Sequence, residues 1–186
     1  MSSPKKLTFF SLIDILHIKL IRKYILNLIN KISKIKIVLA DVDGVLTDGG
    51  LYYSAEGFQM KKFQVKDGLG MVALMKKGYK VGLISSDKSP IAKARADKLK
   101  LDFVFYGVEN KLDIIEEICE KEKVTKEEIA FMGDDEIDVE VLKNVGLSSC
   151  PSDAIKEVKD CVDFISIKAG GFGAFRELSD LILANK

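Results

Sequence analysis

From Ile35 onward the chain alternates short β-rich runs with amphipathic stretches, and few folds tolerate that alternation. Apolar runs are read as strands at residues 35 to 40, 80 to 84, 102 to 105, 128 to 132 and 162 to 165. Helical periodicity is read at residues 68 to 77, 88 to 99, 110 to 123, 135 to 144 and 172 to 184. Strands that are apolar throughout, each separated from the next by a helix, predict a doubly wound parallel α/β sheet. One stretch departs from the pattern. Leu51-Tyr52-Tyr53 and Phe58 to Val65, joined through Glu56-Gly57, read as a β-hairpin projecting from the loop after the first strand. An isolated hairpin covers its own apolar side chains poorly, so this one is expected to pack against other subunits.

An open sheet of this kind carries its chemistry at the carboxyl ends of its strands. The first strand runs directly into Asp41-Val42-Asp43-Gly44-Val45-Leu46-Thr47-Asp48-Gly49. Past the strand end the backbone can turn, so that one Asp offers its carboxylate and the other its carbonyl to a divalent metal. Asp41 suits a carboxylate nucleophile, and Asp43, two residues on, suits the acid that protonates a leaving alcohol and then the base that activates water. The simpler reading is a pair of turn-forming Asp-Gly steps.

Three later strand ends supply what metal-assisted phosphoryl transfer needs. Ser85, before Ser86 and Asp87, offers a hydroxyl at a helix entrance, where backbone amides hold phosphoryl oxygens; as an N-cap it would be equally at home. Lys111 opens a helix, where the dipole disfavours a cation. Gly133-Asp134-Asp135-Glu136-Ile137-Asp138 gathers four acids in six residues, an unfavourable arrangement unless a cation joins them. All-oxygen donors point to Mg²⁺, with Asp134 as side-chain ligand and Asp135 or Asp138 ordering water or holding Lys111. A Gly-rich lead, Gly170-Gly171-Phe172-Gly173, precedes the last helix and permits close backbone approach.

Composition closes off other classes. Cys119, Cys150 and Cys161 have neither disulfide nor zinc spacing, and a reducing cytoplasmic setting is the simplest fit. The one histidine, His17, lies outside the apparent domain, so a Ser-His-Asp triad is excluded, and no basic-aromatic stripe for nucleic acid appears. Residues 1 to 34 form a separate extension with seven Lys/Arg against one Asp, net +6, while residues 35 to 186 carry 22 against 27, net −5. Phe9, Ile13, Leu16, Leu20 and Tyr24 recur there at helical spacing, from Leu7 to Ile32. Charges interrupt the segment well short of the ~20 apolar residues that span a bilayer, and they also break any signal-peptide core. Docking on a partner subunit and lying on a membrane surface both stay open.

Together these residues resemble the haloacid dehalogenase superfamily of phosphatases, whose four motifs match Asp41-Val42-Asp43-Gly44-Val45, Ser85, Lys111 and Gly133-Asp134-Asp135. Asp48-Gly49, the hairpin, Phe63-Gln64-Val65-Lys66-Asp67-Gly68, and Gly170-Gly171 with Arg176-Glu177 are similar to the capless branch acting on 3-deoxy-D-manno-octulosonate 8-phosphate. The resemblance implies a homotetramer assembled through the hairpins of residues 50 to 66, with no cap domain and with a neighbouring subunit closing the site. It implies Mg²⁺ on the Asp41 carboxylate, the Asp43 carbonyl and the Asp134 carboxylate, and a sugar acid held near Lys66, Asp67, Ser86, Asp87, Lys98, Gly170 and Gly171. The octulosonate branch usually has arginines where this chain has Asp87 and Phe172, and neither replaces a bidentate guanidinium. Asp87 with Lys98 looks more like phosphatases of nine-carbon nonulosonate 9-phosphates. Two other classes compete, a phosphoacceptor switch and a non-catalytic oligomerisation module. The Asp-x-Asp at the first strand and the second acid cluster after a late strand favour the phosphatase.

Overall fold

The structure, a computed structural model, describes residues 9 to 185. Leu7 lies outside the described residues, as do the side chains of Phe9, Ile13, Leu16, Phe58 and Gln59. Helix α1 (Phe9–Ile32) leads into β1 (Ile37–Ala40). After it come the hairpin β2 (Tyr52–Ser54) and β3 (Gly57–Met60), then α2 (Val65–Lys76), β4 (Lys80–Ser85), α3 (Ile91–Leu99) and β5 (Phe103–Tyr106). The second half runs α4 (Lys111–Glu122), β6 (Ile129–Met132), α5 (Val139–Asn144), β7 (Leu147–Cys150), α6 (Lys156–Lys159), β8 (Phe164–Ile165) and α7 (Ala174–Ala184).

Six parallel strands form one sheet in the order β5-β4-β1-β6-β7-β8. β1 pairs with β4 on one side and β6 on the other, in the register Ala40 opposite Leu83 and Met132. The chain winds outward from β1 to β5, then crosses back to β6, so the switch in winding direction falls beside β1, where such sheets form their crevice. Both faces of β1 are covered, and all four of its residues are buried. Val38 and Ala40 face the core made with α2 and α7, through Met71, Leu74, Phe175 and Leu178. Ile37 and Leu39 face the core made with α4 and α5, through Ile115, Ile118, Val141 and Leu142. Because side chains alternate along a strand, Asp41 continues the Ile37–Leu39 series and comes out on the α4 and α5 side.

The alternation read from the sequence is present, with corrections at particular places. β7 and α6 were not expected. Leu147-Ser148-Ser149-Cys150 is half polar and follows a glycine, yet all four residues are buried. The structure satisfies both hydroxyls, Ser148 against Asp163 and Ser149 against the Phe131 carbonyl. α2 starts at Val65, which had been read as strand, because Gln64 is extended and its side chain accepts from the Lys66 N–H. Pro90 delays α3 until Ile91. The stretch read as one helix from 135 to 144 begins with a 3-10 turn, Glu136–Asp138. Between β1 and α2 the insertion is the hairpin, with Thr47 bridged to Phe63 at its base.

Asp67, expected at the substrate, is buried in α2 and turned toward α7. Its Oδ1 accepts from the Arg176 N–H at 2.8 Å, so it caps the last helix and ties it to the hairpin exit. Burial pushes its pKa from 3.8 up to about 6, against the Arg176 and Gly173 N–H groups and the charges of Arg95 and Arg176. A folded-state pKa above the unfolded one stabilises fully below about pH 4, and that contribution is lost as the pH rises through 6. Asp67→Asn is expected to remove this loss, making unfolding free energy about 2 kcal/mol less dependent on pH between 4 and 7.5. Urea unfolding across that range checks it; an unchanged slope would mean that Asp67 titrates normally.

Candidate active site

At the carboxyl ends of β1 and β6 the fold collects three carboxylates and one ammonium. Asp41 extends the β1–β6 ladder, its N–H donating to the Met132 carbonyl at 2.9 Å. Lys111, the first residue of α4, reaches down from the adjoining layer and places Nζ 2.7 Å from Asp41 Oδ1 and 2.7 Å from Asp138 Oδ1. Its side chain is 1% exposed, and those of its partners 7% and 0%, so the ion cluster is shielded from water. Burial draws the Lys111 ammonium down, but Asp41 and Asp138 outweigh it and hold the pKa above the ordinary lysine value. Asp138 is saturated, because its Oδ2 accepts the Asp134 N–H at 2.9 Å.

Asp134 is different. Its Oδ1 is buried with no hydrogen-bond partner, and Asp41, Asp134 and Asp138 each present an oxygen within 4.8 Å of the others. Burial, then the charges of Asp41, Asp138 and Asp135, push its pKa up to about 8. Burial also lifts Asp41 to about 7, against Lys111 and with Asp138 adding to the rise. An orphaned carboxylate oxygen beside a second carboxylate is what an oxygen-liganded divalent cation would complete. The residues therefore fit such an ion, with Asp41 and Asp134 as its carboxylate ligands and Asp138 as the lysine's anchor. Asp135 caps the 3-10 turn by accepting the Glu136 N–H at 2.7 Å, and its own N–H donates to Asp138 Oδ2 at 3.4 Å.

Glycines make room for this. Gly44 has φ +81°, and a Cβ there would lie 2.0 Å from Asp134 Oδ2. Gly170 and Gly171, expected to touch substrate, wedge against the same loop. A Cβ on Gly170 would meet the Gly44 carbonyl at 1.8 Å, and the Gly171 N–H donates to the Val45 carbonyl at 2.9 Å. Their place is behind the Asp41–Asp43 loop, holding it in shape.

The second lobe of the site was not foreseen. Lys61, at the foot of the hairpin with its side chain 1% exposed, sits between Asp43 Oδ2 and Asp87 Oδ2, at 2.5 Å from each. Burial opposes its charge, and the two carboxylates more than compensate, raising its pKa. Thr47 Oγ1 supports the other Asp43 oxygen at 3.4 Å. Asp87 is thus engaged by Lys61 and by the Ser89 N–H at 3.1 Å. Burial would raise its pKa, but Lys61 and the N–H groups of Ser89 and Lys88 hold it below the usual carboxylate value. Only the pair Lys61-Lys62 inside an otherwise aromatic hairpin hinted at this, and a lysine there reads as solvated surface. A cavity of about 270 Å³ opens against these groups, lined by Asp43, Gly49, Leu51, Tyr53, Lys61 and Asp87.

Ser85 ends β4, buried, its hydroxyl accepting the Asp87 N–H at 3.2 Å. Ser86 follows half-buried. Lys66 and Lys98 are exposed, Lys66 in the first turn of α2 and Lys98 on α3, and neither lines the cavity.

Comparison with known proteins agrees with this geometry. Residues 22–171 match the haloacid dehalogenase-like hydrolase family, and the chain belongs to it. The 3-deoxy-D-manno-octulosonate 8-phosphate phosphatase of Haemophilus influenzae is 41% identical over 153 residues, 82% of this chain and 85% of that protein. Its counterpart in Escherichia coli K12 is 35% identical over 157 residues, 84% of each chain. Among solved structures, the Moraxella catarrhalis 3-deoxy-D-manno-octulosonate 8-phosphate phosphatase in complex with magnesium ion, phosphate ion and KDO has a TM-score of 0.83 at 31% identity, over 86% of this chain and 91% of that one. The cobalt-bound Haemophilus influenzae enzyme gives 0.80 at 41% identity, over 83% and 91%. The chain is a phosphatase of this family.

Lys111→Met is expected to destabilise the metal-free protein by about 3 kcal/mol, since two buried carboxylates lose their counter-charge. Adding Asp138→Asn should recover part of that cost, as read by urea unfolding in chelator. Additive losses would show that the three groups do not act as a unit.

Proposed function

We propose that the protein is a Mg²⁺-dependent phosphatase of a 2-keto-3-deoxy sugar acid phosphate, with 3-deoxy-D-manno-octulosonate 8-phosphate as its substrate. The observation that carries the chemistry is the buried Asp41, salt-bridged to Lys111 beside the orphaned Asp134 oxygen. The substrate assignment rests on the named activity of relatives that match more than four-fifths of the chain.

Asp41 attacks phosphorus, forming an aspartyl-phosphate as the bond to the sugar oxygen breaks. Asp43 gives its proton to that oxygen, then takes one from the water that attacks phosphorus and frees phosphate and Asp41. Lys111 stays paired with Asp41 and offsets negative charge on the transferring group, while Ser85 offers a hydroxyl to its oxygens. Lys61 orients Asp43 and is itself fixed by Asp87. A magnesium ion held by Asp41, the Asp43 carbonyl and Asp134 would neutralise phosphoryl charge. The cavity lined by Asp43, Leu51, Tyr53, Lys61 and Asp87 would take the sugar. Leu51, Tyr52, Tyr53 and Met60 are exposed on that hairpin, which supports a homotetramer whose neighbour covers them.

Asp87 supports a second substrate. A nine-carbon nonulosonate 9-phosphate would meet a Lys61–Asp87 pair here rather than an arginine. Phosphate release from the eight-carbon and nine-carbon esters at equal concentration, with Mg²⁺, separates the two. The eight-carbon ester is expected to have the higher kcat/KM; preference for the other reverses the substrate assignment. Asp41→Asn should lower kcat at least a thousandfold with the fold intact, and retained turnover would exclude Asp41 as nucleophile.

A further inference from the structure

We propose that α1 is an anchor that lies on an anionic lipid surface. The helix is tied to the body by one side and by its carboxyl-terminal half. Tyr24 Oη donates to the Asp163 carbonyl at 2.5 Å, Lys31 pairs with Asp163 at 2.5 Å, Leu28 packs on the core and Ile32 is buried. Beside these anchors Ile18, Ile21, Ile25 and Ile29 form a stripe at helical spacing, exposed by 64, 58, 47 and 38% among the described residues. Leu20 and Leu26 are exposed as well. Four isoleucines in line on open helix surface are unfavourable in water and call for an apolar phase or partner.

Charge decides which. Arg22, Lys19 and Lys23 follow the stripe around the helix, and no acidic residue occurs between Asp14 and Asp41. A second copy of α1 laid on the stripe would set these cations against their equals, with Asp14 as the one carboxylate on the helix to answer all three. An anionic headgroup layer answers all three, while the isoleucines enter the acyl boundary. No helix among the described residues is long and apolar enough to cross a membrane, so the helix would lie along the surface. Residues 35 to 186, net −5, are repelled by the same surface, so α1 faces the lipid and the body stands off. α1 enters β1 at its amino end, whereas Asp41 and Asp134 follow the carboxyl ends of β1 and β6.

The test is sedimentation of the full chain with vesicles of phosphatidylcholine alone and of phosphatidylcholine with about one-third phosphatidylglycerol, at about 0.1 M salt, where surface attraction still acts. The protein is expected to pellet with the anionic vesicles only. The K19Q/R22Q/K23Q variant should partition about a hundredfold more weakly, roughly fivefold per charge. I21S/I25S should also stay in the supernatant. Both variants should match the parent in phosphate release, which separates loss of docking from loss of fold. Recovery in neither pellet, or equally in both, overturns the proposal. So does I21S/I25S lowering the mass of the vesicle-free protein, which would assign the stripe to a second copy.

Discussion

A lysine held between two buried carboxylates organises this molecule. Lys111 begins α4, Asp41 ends β1 and Asp138 closes the turn after β6, so their contact joins three separately formed elements at one point. Taking three charges out of water is costly, and the fold accepts it only because each is answered at hydrogen-bonding distance. The exception is Asp134, whose unpartnered oxygen remains beside Asp41. That local frustration is the mark of a site built for a ligand that brings its own charge. Burial, with the neighbouring carboxylates adding to it, pushes the pKa values of Asp41 and Asp134 up to about 7 and 8.

Around this centre the supports are made of backbone. Gly44 yields its side chain to Asp134, Gly170 yields its own to the Gly44 carbonyl, and Asp153 fixes Gly170 through its N–H at 2.9 Å. The loop carrying both acids is thereby clamped between β6 and the lead into α7. Asp67 completes the frame from below by capping α7 from inside α2. Gly170, Gly171 and Asp67 thus also hold the loop and the helices that carry the chemistry.

The central strands and their acids were legible because local physics writes them plainly. A strand covered on both faces is apolar throughout, as β1 is, and acids clustered at its end have few other uses. Lys111 was legible for a related reason, a cation where the helix dipole opposes one. β7 was hidden because its buried serines are satisfied by Asp163 and Phe131, partners distant in sequence. Lys61 was hidden because its meaning lies in Asp43 and Asp87, 18 and 26 residues away. Asp87, Gly170 and Gly171 were noticed, but their contacts with Lys61, the Gly44 carbonyl and the Val45 carbonyl lie beyond any local pattern.

The central claim is that Asp41 and Asp134 form one divalent-cation site whose charge balance Lys111 sets. Calorimetric titration of Mg²⁺ into the protein and into Asp134→Asn at neutral pH tests it most directly. The parent should bind one ion per chain, and the variant at least tenfold more weakly with its unfolding temperature in chelator unreduced. Equal affinity in the two proteins would contradict the claim.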